Sequence, residues 1–209
     1  MRILIVDDHA VVRRGLMEIL QEGFADAAFG EAGNAAEAMD QIRKQFWDVV
    51  VVDITMPGRS GLDVLKDAKD TDPKLRFIVL TMHPEDQYAV RALRAGADGY
   101  LTKETAPGEL VKAVHTVLAG QKYVSASLAD RLASRLDERS QAAPHEQLSD
   151  REYEVMLMVA LGKRISDISE ELSLSVKTVS TYRKRILDKM DMTTNAELTR
   201  YALDRKLVS

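Results

Sequence analysis

The sequence predicts an α/β domain built on a five-stranded parallel sheet, followed by a small all-α domain. Three observations carry that expectation. Four consecutive valines, Val49–Val52, make a run suited to burial on both faces, as strands of a parallel sheet are. Strand-like apolar runs alternate five times with segments of helical spacing across residues 1–120. From Leu148 onward only helical spacing remains.

Each element has its own signal. Ile3-Leu4-Ile5-Val6 is a buried strand ending on Asp7-Asp8. Val11, Val12, Leu16, Ile19 and Leu20 then fall at helical spacing over Ala10–Gln21, closed by Gly23. A weaker strand, Ala27–Gly30, leads to a helix over Ala35–Gln45 with Asn34 as its N-cap. The valine strand comes third and ends on Asp53, followed by the turn signal Pro57-Gly58. Gly61–Lys69 is helical, stopped by Asp72-Pro73. Phe77–Leu80 is the fourth strand and runs into Thr81; Glu85–Ala95 is the next helix, ended by Gly96. Gly99–Leu101 makes a short fifth strand running into Lys103, and Glu109–Ala119 closes the pattern before Gly120.

Leu128, Leu132 and Leu136 suggest a short helix, and Asp137–Gln147, polar and carrying Pro144, reads as a linker. The expected division is therefore 1–120, a connecting stretch 121–147, and a helical domain 148–209.

Composition narrows the function classes. At 209 residues, with 45% hydrophobic and 30% charged residues, the chain has the length of one large soluble domain or two small ones. Met1-Arg2 leads into only four apolar residues, unlike a signal peptide, and no apolar run approaches a bilayer span. The absence of cysteine excludes disulfides, thiolate metal sites and cysteine nucleophiles, and fits a cytoplasmic location. Residues 146–209 hold eleven Lys/Arg and eleven Asp/Glu, so the net charge of −4 belongs to residues 1–145. Within the balanced part, Lys177, Arg183, Lys184, Arg185 and Lys189 oppose the single Asp188, a local basic cluster that keeps nucleic acid in play.

The chemistry sits at the strand ends. In a parallel sheet Asp7-Asp8, Asp53, Thr81 and Lys103 all reach one edge, where doubly wound sheets place their ligands. Taken singly, each has an ordinary structural explanation. Four in register point to a pocket. Three carboxylates repel one another unless a cation joins them, and oxygen-only ligands suit a hard ion such as Mg²⁺. A lysine and a hydroxyl beside it would hold phosphate oxygens during in-line transfer onto Asp53.

On these residues the chain resembles the receiver domain of two-component response regulators over about residues 1–120. The resemblance implies a flavodoxin-like doubly wound fold with Asp53 as phosphoacceptor. It implies Mg²⁺ bound by Asp7, Asp8, Asp53 and the backbone carbonyl of Thr55. By the same resemblance Thr81 and Lys103 contact the phosphoryl group, and Tyr100 is the aromatic that changes orientation. Glu104 stands where many receivers have proline, which leaves the geometry of the Lys103–Glu104 bond open.

In the tail, Ser149 three residues before Glu152 is a capping-box spacing, and Gly162 stops the helix it opens. Ile165, Ile168 and Leu172 give a second helix, Ser175 to about Met190 a third, and Ala196–Lys206 a fourth. Two short helices and a tight turn, the second helix basic, suggest helix-turn-helix geometry. Leu148-Ser149-x-Arg151-Glu152, Gly162, Ile168, Leu172, Ser175-x-x-Thr178-Val179, Tyr182, Ile186 and Lys189-Met190 resemble the LuxR-type domain of NarL/FixJ regulators. That resemblance implies base-facing Ser180, Thr181 and Lys184, with Lys177, Thr178 and Arg183 nearer phosphates.

The expectation is a phosphorylation-activated DNA-binding transcription regulator. Its partners would be a sensor histidine kinase, double-stranded promoter DNA, a second copy of itself when phosphorylated, and RNA polymerase. Rival readings are a Mg²⁺-dependent phosphohydrolase with an aspartyl intermediate and a phosphorylation-dependent protein-interaction module. The first lacks its proton donor, since Thr55 stands where such an enzyme needs a second acid. The basic third helix argues against the second.

Overall fold

The structure, a computed structural model, describes residues 1–126, 128–130 and 143–208. The chain divides into two compact units, Met1–Leu136 and Asp137–Ser209. In the first, strands and helices alternate as β1 (Arg2–Val6), α1 (Ala10–Gly23), β2 (Ala28–Ala32), α2 (Ala35–Lys44), β3 (Val49–Val52), α3 (Gly61–Thr71), β4 (Arg76–Thr81), α4 (Glu85–Arg94), β5 (Gly99–Thr102) and α5 (Ala106–Leu118).

Every strand pairing is parallel, in the order β2-β1-β3-β4-β5. The chain order reverses at β1, so β1 and β3 flank the switch point where such sheets bind ligands. Register decides what meets there. Val6 lies opposite both Ala32 and Val52, so β1, β2 and β3 end level. The ladder continues one bond further: Asp53 N–H donates to Val6 O (2.9 Å) and Lys103 N–H to Thr81 O (2.8 Å). Asp7, Asp53 and Lys103 are thus each the first residue past a strand end.

The valine strand is buried throughout, as its composition requires. Ile3, Ile5, Val49, Val51, Ile78 and Leu80 face α1 and α5 through Leu16, Leu20, Leu110 and Val114 in one continuous core. Burying a Val or Leu side chain stabilises by about 1.5–3 kcal/mol, so this layer supplies much of the force holding the strand ends level. Two starts are fixed by local chemistry. The Asn34 side chain accepts the Glu37 amide at 3.0 Å and begins α2. Ser60 and Asp63 form a capping box that begins α3.

Element boundaries depart from expectation where pairing or capping outweighs the apolar pattern. β2 extends to Ala32, held by its five-residue register with β1. α5 begins at Ala106, three residues before Glu109, because Pro107 sits in its first turn, where a missing amide costs nothing. Gly99 forms an isolated bridge to Tyr123, and Tyr100 N–H donates to Tyr123 O (3.1 Å). The chain leaving α5 thereby covers part of the free edge of β5. Leu128 lies in a helical turn and is buried. Leu132, Leu136 and residues 137–142 of the expected helix and linker lie outside the described residues.

The described part of the second unit opens with a 3₁₀ turn, Pro144–Gln147, in the last residues of the expected linker. His145 anchors it, with Nδ1 2.7 Å from the Tyr201 hydroxyl. Four helices follow: α6 (Asp150–Ala160), α7 (Ile165–Glu171), α8 (Val176–Met190) and α9 (Asn195–Asp204). α6 packs on α8 and α9, and α7 on α8. Capping boxes at Ser149 and Thr194 start α6 and α9, and the Ser175 hydroxyl caps α8 by accepting the Thr178 amide (3.0 Å). Ile168, Leu172, Val179, Ile186, Leu198 and Ala202 are fully buried. No described helix is long and apolar enough to cross a membrane.

Candidate functional site

The strand ends converge as the register dictates. Lys103 Nζ lies 2.7 Å from Asp53 Oδ2 and 2.6 Å from Asp7 Oδ2, joining residues 50 and 96 positions away. Asp7 and Asp53 are almost sealed from solvent, at 1% and 5% exposure. Two forces compete over the protons. Burial pushes the Asp53 carboxyl above its ordinary value, against the pull of the Lys103 ammonium and the Thr81 hydroxyl and with the help of Asp7. Burial alone would lower the Lys103 pKa, but the Asp53 and Asp7 carboxylates outweigh it and hold the ammonium protonated beyond the usual lysine range.

Thr81 is buried at the end of β4 and accepts the His83 amide at 3.4 Å. The Thr55 amide points at Asp53 Oδ1 (3.4 Å), and the Thr55 hydroxyl contacts His83 Nε2 at 2.8 Å. Tyr100 is fully buried, its hydroxyl donating to the His83 carbonyl at 2.9 Å. The Lys103–Glu104 bond is trans. Gly61 closes the loop from below: its amide donates to Ile54 O (2.9 Å), and a Cβ there would meet the Asp53 carbonyl oxygen at 1.8 Å.

The donor set fits a hard divalent cation. Asp7, Asp8 and His9 place one ligand atom each within 4.8 Å of one another. Asp7 Oδ2 and Asp8 Oδ1 are shut from water. Lys103 Nζ lies 2.6 Å from the first, and His9 Nδ1 2.8 Å from the second. Crowded, buried carboxylate oxygens are what a divalent ion relieves, and oxygen ligands select Mg²⁺ or Mn²⁺ over softer metals.

Sequence reading passed over three participants. His83 bridges the β3–α3 loop to Tyr100. His9 donates its amide to Asp7 Oδ1 at 2.8 Å, and Arg13 Nη1 donates to the Asp7 carbonyl at 2.8 Å. The motif spacing gives no signal for the first. His9 adjoins the acidic pair and Arg13 lies in the first turn of α1, so both were open to suspicion on proximity alone.

On the second unit, Lys177, Ser180, Thr181 and Lys184 are exposed at i, i+3, i+4 and i+7 of α8, one face of the helix. The opposite face, Val179, Ile186 and Met190, is core. Thr178 and Arg183 are half-buried and already engaged within the unit. The Thr178 hydroxyl meets Ser175 Oγ (2.8 Å), and Arg183 Nε donates to Asn195 Oδ1 (2.6 Å) at the start of α9.

A doubly wound parallel sheet with a cation-ready acidic pocket at its switch point, joined to a helical unit with a basic exposed helix, defines a signal-receiving regulator. The comparisons agree. Residues 3–115 match the family described as the response regulator receiver domain, and residues 146–202 match the bacterial regulatory proteins of the luxR family. Response regulator UvrY of Escherichia coli (strain K12) is 37% identical over 202 residues, covering 96% of this chain and 93% of the relative. Response regulator GacA of Pseudomonas protegens is 36% identical over 207 residues, covering 99% and 97%. A structure of the Salmonella typhimurium RcsB response regulator superposes with a TM-score of 0.67 at 26% identity, covering 98% of each chain. RcsB bound to promoter rprA with the phosphomimetic BeF3⁻ gives 0.63 at 26% identity, covering 96% and 98%. The chain belongs to the response regulators, with a receiver domain followed by a LuxR-type helix-turn-helix domain, and it is a DNA-binding transcription regulator of a two-component system.

Proposed function

We propose that Asp53 accepts a phosphoryl group from a phosphohistidine of a sensor kinase, and that phosphorylation promotes promoter binding through α8. One observation supports this above the rest: a buried carboxylate held by Lys103, with Asp7 and Thr81 close about it at one sheet edge. An Asp53 carboxylate oxygen forms the new O–P bond as the P–N bond to the kinase histidine breaks, and the imidazole keeps the electron pair. Lys103, released from its carboxylates, pairs with the charge carried onto the phosphoryl oxygens, and the Thr81 hydroxyl donates to another. Asp7, Asp8, Asp53 and the Thr55 carbonyl would hold Mg²⁺, which when bound neutralises charge on the oxygens in flight.

The functional receiver is taken as residues 1–120 and the DNA-binding domain as 148–209. Ser180, Thr181 and Lys184 read base edges, while Lys177, Thr178 and Arg183 sit towards phosphates. The phosphorylated protein binds DNA as a dimer in the cytoplasm and meets RNA polymerase there. The RcsB structures with promoter DNA support the DNA assignment by similarity.

The test is direct. With acetyl phosphate and Mg²⁺, wild type acquires one acid-stable, hydroxylamine-labile phosphoryl group, whereas Asp53→Asn and a chelator each abolish labelling. Labelling of Asp53→Asn at the wild-type rate overturns the assignment.

A further inference from the structure

We propose that Arg13 is a positioning residue for the Asp7–Asp8 pair, setting the cation affinity of the pocket without touching the cation. This rests on the reading of that pair as cation ligands. Successive side chains of an extended strand point to opposite faces, so two adjacent acids share one ion only if the backbone between them turns. The Asp7 carbonyl lies in that turn. Asp7 N–H is already committed to Ala32 O (3.2 Å), which leaves the carbonyl to be held from the helix side.

Arg13 holds it. Its Nη1 donates to Asp7 O at 2.8 Å, while its Nε donates to Glu31 Oε2 at 2.9 Å. Glu31 lies on β2 opposite Ile5 of β1, so one guanidinium joins the β1–α1 turn to the neighbouring strand. The Arg13 side chain is only 16% exposed although α1 presents much of its surface to solvent. It is fixed by position too, since its own amide closes the first turn of α1 by donating to His9 O (3.1 Å). A planar fork serves two acceptors in fixed relative orientation, and an ammonium cannot reproduce that geometry.

Charge and position predict opposite outcomes here. A guanidinium on the Asp7 backbone carbonyl opposes a cation held by the same residue, so if Arg13 acted through charge alone its loss would tighten binding. If it acts by holding the turn, its loss spreads the carboxylates and weakens binding, as loss of supporting hydrogen bonds around a metal site does by about 10–100-fold.

The experiment titrates full-length protein with Mn²⁺, reading free ion by electron paramagnetic resonance. It also measures the Mg²⁺ that half-saturates labelling by acetyl phosphate. Arg13→Gln should weaken Mn²⁺ binding about tenfold and raise half-saturating Mg²⁺ in parallel, with labelling at saturating Mg²⁺ within about twofold of wild type. Arg13→Lys, which keeps the charge and one donor, should fall between. Far-ultraviolet circular dichroism melts on the same samples check folding, and Arg13→Lys carries the comparison should Arg13→Gln melt early. Unchanged or tighter Mn²⁺ binding in both variants overturns the proposal. Asp7→Asn separates the two levels: if it too binds Mn²⁺ as wild type does, the cation site itself is refuted, and if it alone loses Mn²⁺, only the role of Arg13 is.

Discussion

Asp98 shows how one side chain holds the sheet level at the end opposite the pocket. Its carboxylate accepts Phe77 N–H (3.0 Å) at the start of β4, Lys69 Nζ (3.0 Å) from α3 and Lys122 Nζ (2.9 Å) from the segment after α5. Burial raises its pKa, but these three donors together outweigh burial and hold it below the ordinary carboxylate value. A depressed carboxylate contributes stability that is complete above its unfolded pKa, about 3.9. That stability is lost as pH falls through the lower folded value. Asp98→Asn should therefore cost about 1.5–3 kcal/mol at neutral pH. It should also flatten the stability curve below about pH 4, and urea titrations at several pH values would show both. A parallel loss at every pH would contradict the ion-pair account. The acidic pair, Asp53 and Lys103 were legible in the sequence because a parallel register sends strand ends to one edge whatever the loops do. Asp98 and His83 were not, since their partners are chosen by loop path and rotamer, which leave no period in the chain.

Among the elements, α8 separates two jobs by angle. Its core face is fixed by Val179, Ile186 and Met190, and its exposed stripe by Lys177, Ser180, Thr181 and Lys184. Lys184→Ala should cost about 1–3 kcal/mol on the cognate site and relax preference at one base step. Lys177→Ala should weaken all sequences alike and reduce the slope of log affinity against log salt by about one. Salt titrations on cognate and scrambled DNA measure both, and equal loss of specificity in the two variants would refute the division. The helix and its stripe were readable from spacing alone. The capture of Arg183 by Asn195 was not, because it depends on where α9 starts, and that is set by the Thr194–Glu197 cap.

For the whole molecule, the prediction concerns how phosphorylation reaches DNA. We expect the signal to pass as a shift in populations of domain arrangements. A fragment beginning at Leu148 should bind DNA without phosphate, and full-length protein should gain both dimer content and DNA affinity on phosphorylation. Sedimentation and DNA titration on the same samples decide the matter. Equal affinity of fragment and unphosphorylated protein would leave dimerisation as the sole route of activation.

The contact beneath Gly61 also has a genetic meaning. Every missense change in a glycine codon adds at least a Cβ, and here a Cβ would sit 1.8 Å from the Asp53 carbonyl oxygen, with backbone rather than a yielding side chain in the way. Position 61 therefore has no conservative alternative. In a saturation library selected for a promoter response, it should be emptied of all nineteen substitutions, alanine included. Gly58, with nothing within 4 Å but a φ of +81°, should keep a minority such as asparagine. Two glycines three codons apart would thus record different histories, one shaped by the space around it and the other by its own backbone.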